Sequence, residues 1–193
     1  MKCEHPIDAG ALTDYWLGSL TGADEEAVEE HLFGCDECGA QLREVIALAE
    51  GVRDVARAGN LLMIVTDEFL ERVAREGSRV REYAPPRGGS VQCTVTKDDD
   101  FLIGRLQADL STTQRLDLSI CDRRGVETLR LMDIPFRRES NGVAFQQPIG
   151  YAKAAPSETM IARLVGFDDA GTEKLVGEYT FIHTRTIEGP AGW

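Results

Sequence analysis

No run of apolar residues in this chain approaches the length of about 18 needed to span a bilayer, and the opening MKCEHPIDAG contains none that reads as a secretory leader. A cytoplasmic protein without a membrane segment is therefore expected. Cysteine is sparse. The five residues Cys3, Cys35, Cys38, Cys93 and Cys121 are odd in number and unevenly spaced, which argues against a secreted disulfide framework and fits reduced thiols. Positive charge is also in short supply: 21 Lys+Arg against 33 Asp+Glu give a formal net charge of -12. The deficit is concentrated in residues 1–60, where thirteen acids face four bases, whereas residues 61–90 balance at five against five. Such a surface repels phosphate backbones and anionic lipid, so no direct contact with nucleic acid or membrane is expected. It suits a basic protein partner, or simply serves as a solvated face. Catalytic groupings are missing too. No Ser/His/Asp set or carboxylate pair is legible, and the DDD run at 98–100 lacks the twelve-residue calcium pattern and reads as a hairpin turn. The chain is not expected to be an enzyme.

What is present is a globular composition, 42% hydrophobic and 28% charged, with a change of texture along its length. In DAGALTDYWLG the apolar residues Leu12, Tyr15 and Trp16 recur at helical spacing between an Asp8 cap and a Gly18 stop. A second helix is predicted from Thr21 to Gly34, with an acidic first turn suited to the positive end of the helix dipole. A third runs from Asp36 to Ala58 on the stripe Leu42, Val45, Ile46, Ala49, Val52 and Ala56. LLMIV at 61–65 reads as a strand or a helix entry, and Thr66 caps a fourth helix over DEFLERVARE. APPRGGS at 84–90 is rich in breakers and marks the expected domain boundary. Beyond it, seven β-favouring runs alternate with the turns KDDD, DRRG, ESNG and DDAG. The predicted architecture is α+β in two domains. A helical domain would occupy 1–76 and a linker 77–90, followed by an immunoglobulin-like β-sandwich over 91–193, a closed barrel being the alternative.

The segment HLFGCDEC places His31, Cys35 and Cys38 at a His-x3-Cys-x2-Cys spacing. Two thiolates at a helix start, stabilised by the amides of the opening turn, and an imidazole one tight corner away supply three ligands of a zinc tetrahedron. Cys3 and His5 are the nearby candidates for the fourth. A redox dithiol is the competing reading, but that chemistry belongs to strand-helix-strand surroundings, and here helices flank the pair.

These residues also carry a resemblance. Residues 5–42 resemble the zinc-associated anti-sigma domain of bacterial regulators of extracytoplasmic-function sigma factors. The resemblance rests on the His-Cys-Cys signature, the Tyr-x-x-Gly-x-Leu segment at Tyr15 to Leu20, and a ligand-type residue ten positions before that tyrosine, which is His5. It implies zinc held by His5, His31, Cys35 and Cys38. It also implies sequestration of an extracytoplasmic-function sigma factor by protein-protein contact, with repression of transcription until a signal is sensed. The β-rich half, whose one histidine is His183, lacks the histidine cluster of a cupin sensor, so a signal or ligand for it is not specified. The alternative is a zinc-stapled ligand-binding or assembly module of another bacterial regulatory system.

A sequestering domain needs apolar anchors. Leu61, Leu62, Met63, Ile64 and Val65, followed by the Phe69, Leu70 and Val73 face, are the predicted partner surface; the same run would equally serve as core docked on the β domain. His183 reads as a sheet histidine, and Cys93 and Cys121 read as buried strand thiols.

Overall fold

The structure, a computed structural model, describes residues 3–188. It divides into two compact units, Met1–Val55 and Ala56–Trp193. The first is helical. Helix α1 (Ala9–Leu17) opens at Asp8, whose side chain accepts from the Ala11 amide, and ends at Gly18 in the left-handed region at φ 67°, as the sequence predicts. Helices α2 (Gly22–Gly34) and α3 (Asp36–Arg57) follow, separated only by Cys35. Tyr15 Oη donates to Glu29 Oε1 at 3.3 Å between α1 and α2, and the Arg53 guanidinium lies 4.3 Å over the Trp16 ring between α3 and α1. Only Leu12, Val28 and Cys38 are buried among the described residues of this unit. That is too little apolar core to hold three helices together unaided, and one of the three is a metal-ligand type.

The second unit is a two-sheet sandwich. Its strands are β1 (Met63–Val65), β2 (Val80–Tyr83), β3 (Ser90–Cys93), β4 (Phe101–Gln107), β5 (Arg115–Cys121), β6 (Glu127–Leu131), β7 (Gly142–Gln147), β8 (Glu158–Phe167) and β9 (Glu173–His183). One sheet has the order β1-β7-β4-β2 and the other β3-β9-β8-β5-β6. Putting β4 and β7 in one sheet and β5, β6, β8 and β9 in the other is the division of an immunoglobulin-like sandwich. Leu106 and Phe145 from the first sheet meet Leu116, Leu118, Leu164 and Tyr179 from the second in the core, where Phe145 and Phe181 stack edge to face at 6.0 Å. The seven predicted strand runs are all present, as β3 to β9. The added features are β2, the helix α5 (Ile149–Ala154), and two parallel edge pairings, β2 with β4 and β3 with β9.

The expected linker is not a domain boundary. Residues 84–89 connect β2 to β3 and so carry the chain from one sheet to the other inside the sandwich, with the Gly88 amide donating to Glu178 O at 2.8 Å and Thr180 N to Gly89 O at 2.9 Å. Its prolines and glycines serve a sheet crossing. The division lies at Val55/Ala56, because the segment expected to close the helical domain belongs to the sandwich. There β1 pairs antiparallel with β7, and α4 (Asp67–Arg75), capped by Thr66 Oγ1 accepting from Phe69 N, covers the outer face of the four-stranded sheet.

Candidate metal centre

The first candidate site lies where α2 hands over to α3. His31 is on the last turn of α2, Cys35 is the single residue between the helices, and Cys38 is in the first turn of α3. The Cys3 amide donates to Glu37 Oε2 at 2.7 Å, which ties the chain before α1 to that same first turn. The ligand atoms of Cys3, His31, Cys35 and Cys38 consequently lie within 4.8 Å of one another. Individual separations are 3.5 Å from Cys3 Sγ to His31 Nε2, 3.2 Å from His31 Nε2 to Cys38 Sγ, and 3.9 Å from Cys38 Sγ to Cys3 Sγ. A tetrahedral ion with sulfur at about 2.3 Å and nitrogen at about 2.0 Å needs edges of about 3.8 Å between sulfurs and about 3.5 Å between sulfur and nitrogen. The four residues therefore fit a closed tetrahedral metal site by donor type, and the separations among Cys3, His31 and Cys38 are close to such edges.

The electrostatics agree. A hydrogen bond from the Cys38 backbone amide lowers the Cys35 thiol to about 7, so the opening turn of α3 favours thiolate there. Burial, with the neighbouring Cys35 thiol, pushes Cys3 up to about 11. A cation held by the group would favour the thiolate form of both.

Three of the four ligands expected from the resemblance are in the group. The fourth, His5, is exposed and stands outside it, and Cys3 takes its place. The sequence offers both residues, which lie two positions apart and both carry ligand-type side chains; the Cys3–Glu37 hydrogen bond is what aligns one of them.

The predicted partner surface is not a surface. Val65, Leu70 and Val73 are buried with Phe101, Ile103 and Ala144, and Met63 and Phe69 pack on the same cluster, Phe69 edge to face with Phe101 at 5.9 Å. Leu62 and Ile64 point the other way into the core between the sheets, and Leu61 is anchored by its carbonyl, which accepts from the buried Gln146 Nε2 at 2.8 Å. Five consecutive apolar residues occur because β1 is covered on both faces, by α4 and by the second sheet. Exposed apolar residues include Phe33 on α2, at 91% exposure, and Leu48, Val52 and Val55 on α3, which recur at one-turn spacing with 71%, 48% and 45% exposure. Of the remaining residues, His183 lies in β9 and Cys93 and Cys121 are buried in β3 and β5, as expected. The DDD turn is less ordinary than expected: Asp99 is buried and accepts from Arg81 Nε at 2.7 Å, Arg81 Nη2 at 3.1 Å and Thr96 N at 2.7 Å.

Among the described residues no helix is long and apolar enough to cross a membrane. No curated protein matches the chain. Residues 10–39, which hold His31, Cys35 and Cys38 but neither Cys3 nor His5, match the family model described as "Putative zinc-finger". Together with the Cys3, His31, Cys35 and Cys38 group, this match fits a zinc-associated anti-sigma domain.

Proposed function

We propose that the chain is a zinc-binding anti-sigma factor that sequesters an extracytoplasmic-function sigma factor and so represses transcription initiation until a signal is sensed. The observation that carries this reading is the gathering of three sulfurs and one imidazole within 4.8 Å of one another, three of the four residues lying in a stretch that matches a zinc-finger family. Zinc here is structural. With four protein ligands it leaves no open position for a substrate, so its role is to hold the helices. Cys35 and Cys38 fix the start of α3, His31 fixes the end of α2, and Cys3 fastens the leading segment across both.

The contact surface is α3. Leu48, Val52 and Val55 form the apolar anchors that an interface core requires, and the acidic residues around them steer a basic partner. The reading is tested by co-purification from the native cell with metal analysis. Wild-type protein is expected to carry one zinc per chain and to retain a sigma factor. Leu48→Asp with Val52→Asp is expected to lose the sigma factor and keep the zinc. Retention of the sigma factor by that variant refutes the surface, and absence of any sigma factor from the wild-type pull-down refutes the function.

A further inference from the structure

The β-sandwich contains a cavity independent of the metal centre. It opens between the two sheets at the end covered by α5, with a volume of about 60 Å³. Its walls are mainly apolar, from Phe145 on one sheet to Met160 and Phe181 on the other. Helix α5 is held at this end by Arg185, whose Nη1 donates to the carbonyls of Lys153, Ala154 and Ala155 at 2.8, 2.8 and 3.1 Å. Tyr151 and Glu158, joined by a 3.1 Å hydrogen bond, are the exposed members of the lining and mark the mouth.

Two polar atoms of the lining residues stand out. Gln147 Oε1 and His183 Nε2 are both buried, and neither has a hydrogen-bond partner among the described residues. An unmet buried polar atom is unfavourable, so two at one cavity call for an occupant. His183 stands in register with Cys93 on β3 and with Glu158 on β8, which sets its ring in a row that lines the cavity. Burial holds it below its ordinary pKa, so the ring is neutral and one nitrogen is free to accept.

We propose that this cavity is a binding site for a small uncharged molecule with an apolar body and a hydrogen-bond-donating group, of the phenol or alcohol class. The donor chemistry follows from the site: Gln147 Oε1 can only accept, neutral His183 accepts through Nε2 when the proton is on Nδ1, and the Glu158 carboxylate at the mouth also accepts. A charged ligand is disfavoured by the apolar walls. The volume is several times the roughly 10–15 Å³ that one water requires, enough for a hydroxyl and the edge of a ring, with the remainder of the molecule in the mouth beside Tyr151.

The proposal does not depend on sigma-factor binding, and its test uses the whole zinc-loaded chain. Phenol, and anisole as a probe of similar shape without the donor, are titrated while the Met160 methyl and His183 ring signals are followed by NMR. Saturable shifts of both signals by phenol are expected, with anisole binding at least about fivefold more weakly. Gln147→Leu and His183→Phe are each expected to weaken phenol about fivefold and to narrow its advantage over anisole. If Gln147→Leu fails to fold, the phenol and anisole comparison and the His183→Phe variant decide alone. Absence of saturable shifts means that water alone meets the two atoms and overturns the proposal. Equal affinity for the two probes, or full phenol affinity in the folded variants, overturns it as well.

Discussion

Truncating Leu70 to alanine separates a core residue from a surface residue of the same type. Leu70 is 5% exposed on α4, against Val65, Val73, Phe101 and Ile103. The substitution removes three carbons, for which lost transfer free energy is about 2 kcal/mol, and the rigid sheet beneath cannot collapse into the gap, so a cavity contribution raises the total to about 3 kcal/mol. Alanine's better helix propensity returns only a few tenths. For a unit of this size the melting temperature should fall by about 10 °C. Leu48→Ala is the control. Leu48 is 71% exposed, so it changes environment little on folding and its loss should stay within about 0.5 kcal/mol. The assay is thermal and urea unfolding of both variants, followed by circular dichroism. Leu70→Ala unfolding with the wild-type midpoint would refute the assignment of α4 to the sandwich core and return its apolar face to the role of a free surface.

The metal ligands are distinguished by zinc content after gel filtration: Cys3→Ser is expected to lose metal, His5→Ala to retain one equivalent, and the reverse result would reinstate His5. Asp99→Ala should destabilise the sandwich by about 1–2 kcal/mol, because it leaves the half-buried Arg81 guanidinium and the Thr96 amide without their acceptor. Burial alone would raise the Asp99 carboxyl, but hydrogen bonds from Arg81 and Thr96 outweigh it and hold the group below its ordinary 3.8. Its contribution is therefore complete above about pH 4 and lost as pH falls through the lowered value; an Asp99→Ala deficit that is unchanged at acid pH would contradict this. Burial lowers His183 below 6.5, so the unfolded chain binds the proton more readily and stability is full above about pH 6.5 and declines below it. Unfolding midpoints at pH 7.5 and 5.5 should differ more for wild type than for His183→Phe, and equal differences would disprove the assignment.

Elements with a strong local cause were legible in advance. The Asp8 and Thr66 caps, the Gly18 stop and the alternating strands β3 to β9 each depend on neighbours within a few positions. Strand β2 was missed because VREY is polar in appearance. It is held by distant partners: Val80 is in register with Phe101, Arg81 binds Asp99, and Tyr83 Oη both accepts from Thr94 N and donates to Thr94 O. Helix α5 was missed because six residues carry too little periodicity to read, although Pro148 and Pro156 bracket it.

By itself the sequence determined that a metal-type cluster sits at a helix junction, since His31, Cys35 and Cys38 are close in the chain and a helix turn brings such neighbours together whatever the rest of the fold does. It also determined two units, one helical and one β-rich, because hydrophobic period is a local property. Three matters were left to the tertiary structure: whether Cys3 or His5 completes the group, on which side of the division β1 and α4 fall, and which apolar residues face water. Each depends on the path of chain segments far apart in sequence, on the Glu37 contact 34 residues from Cys3 and on the pairing of Ile64 with Phe145 across the sheet. An apolar run is compatible with a strand buried on both faces and with a docking surface alike, and only the presence of a second layer over it selects between them.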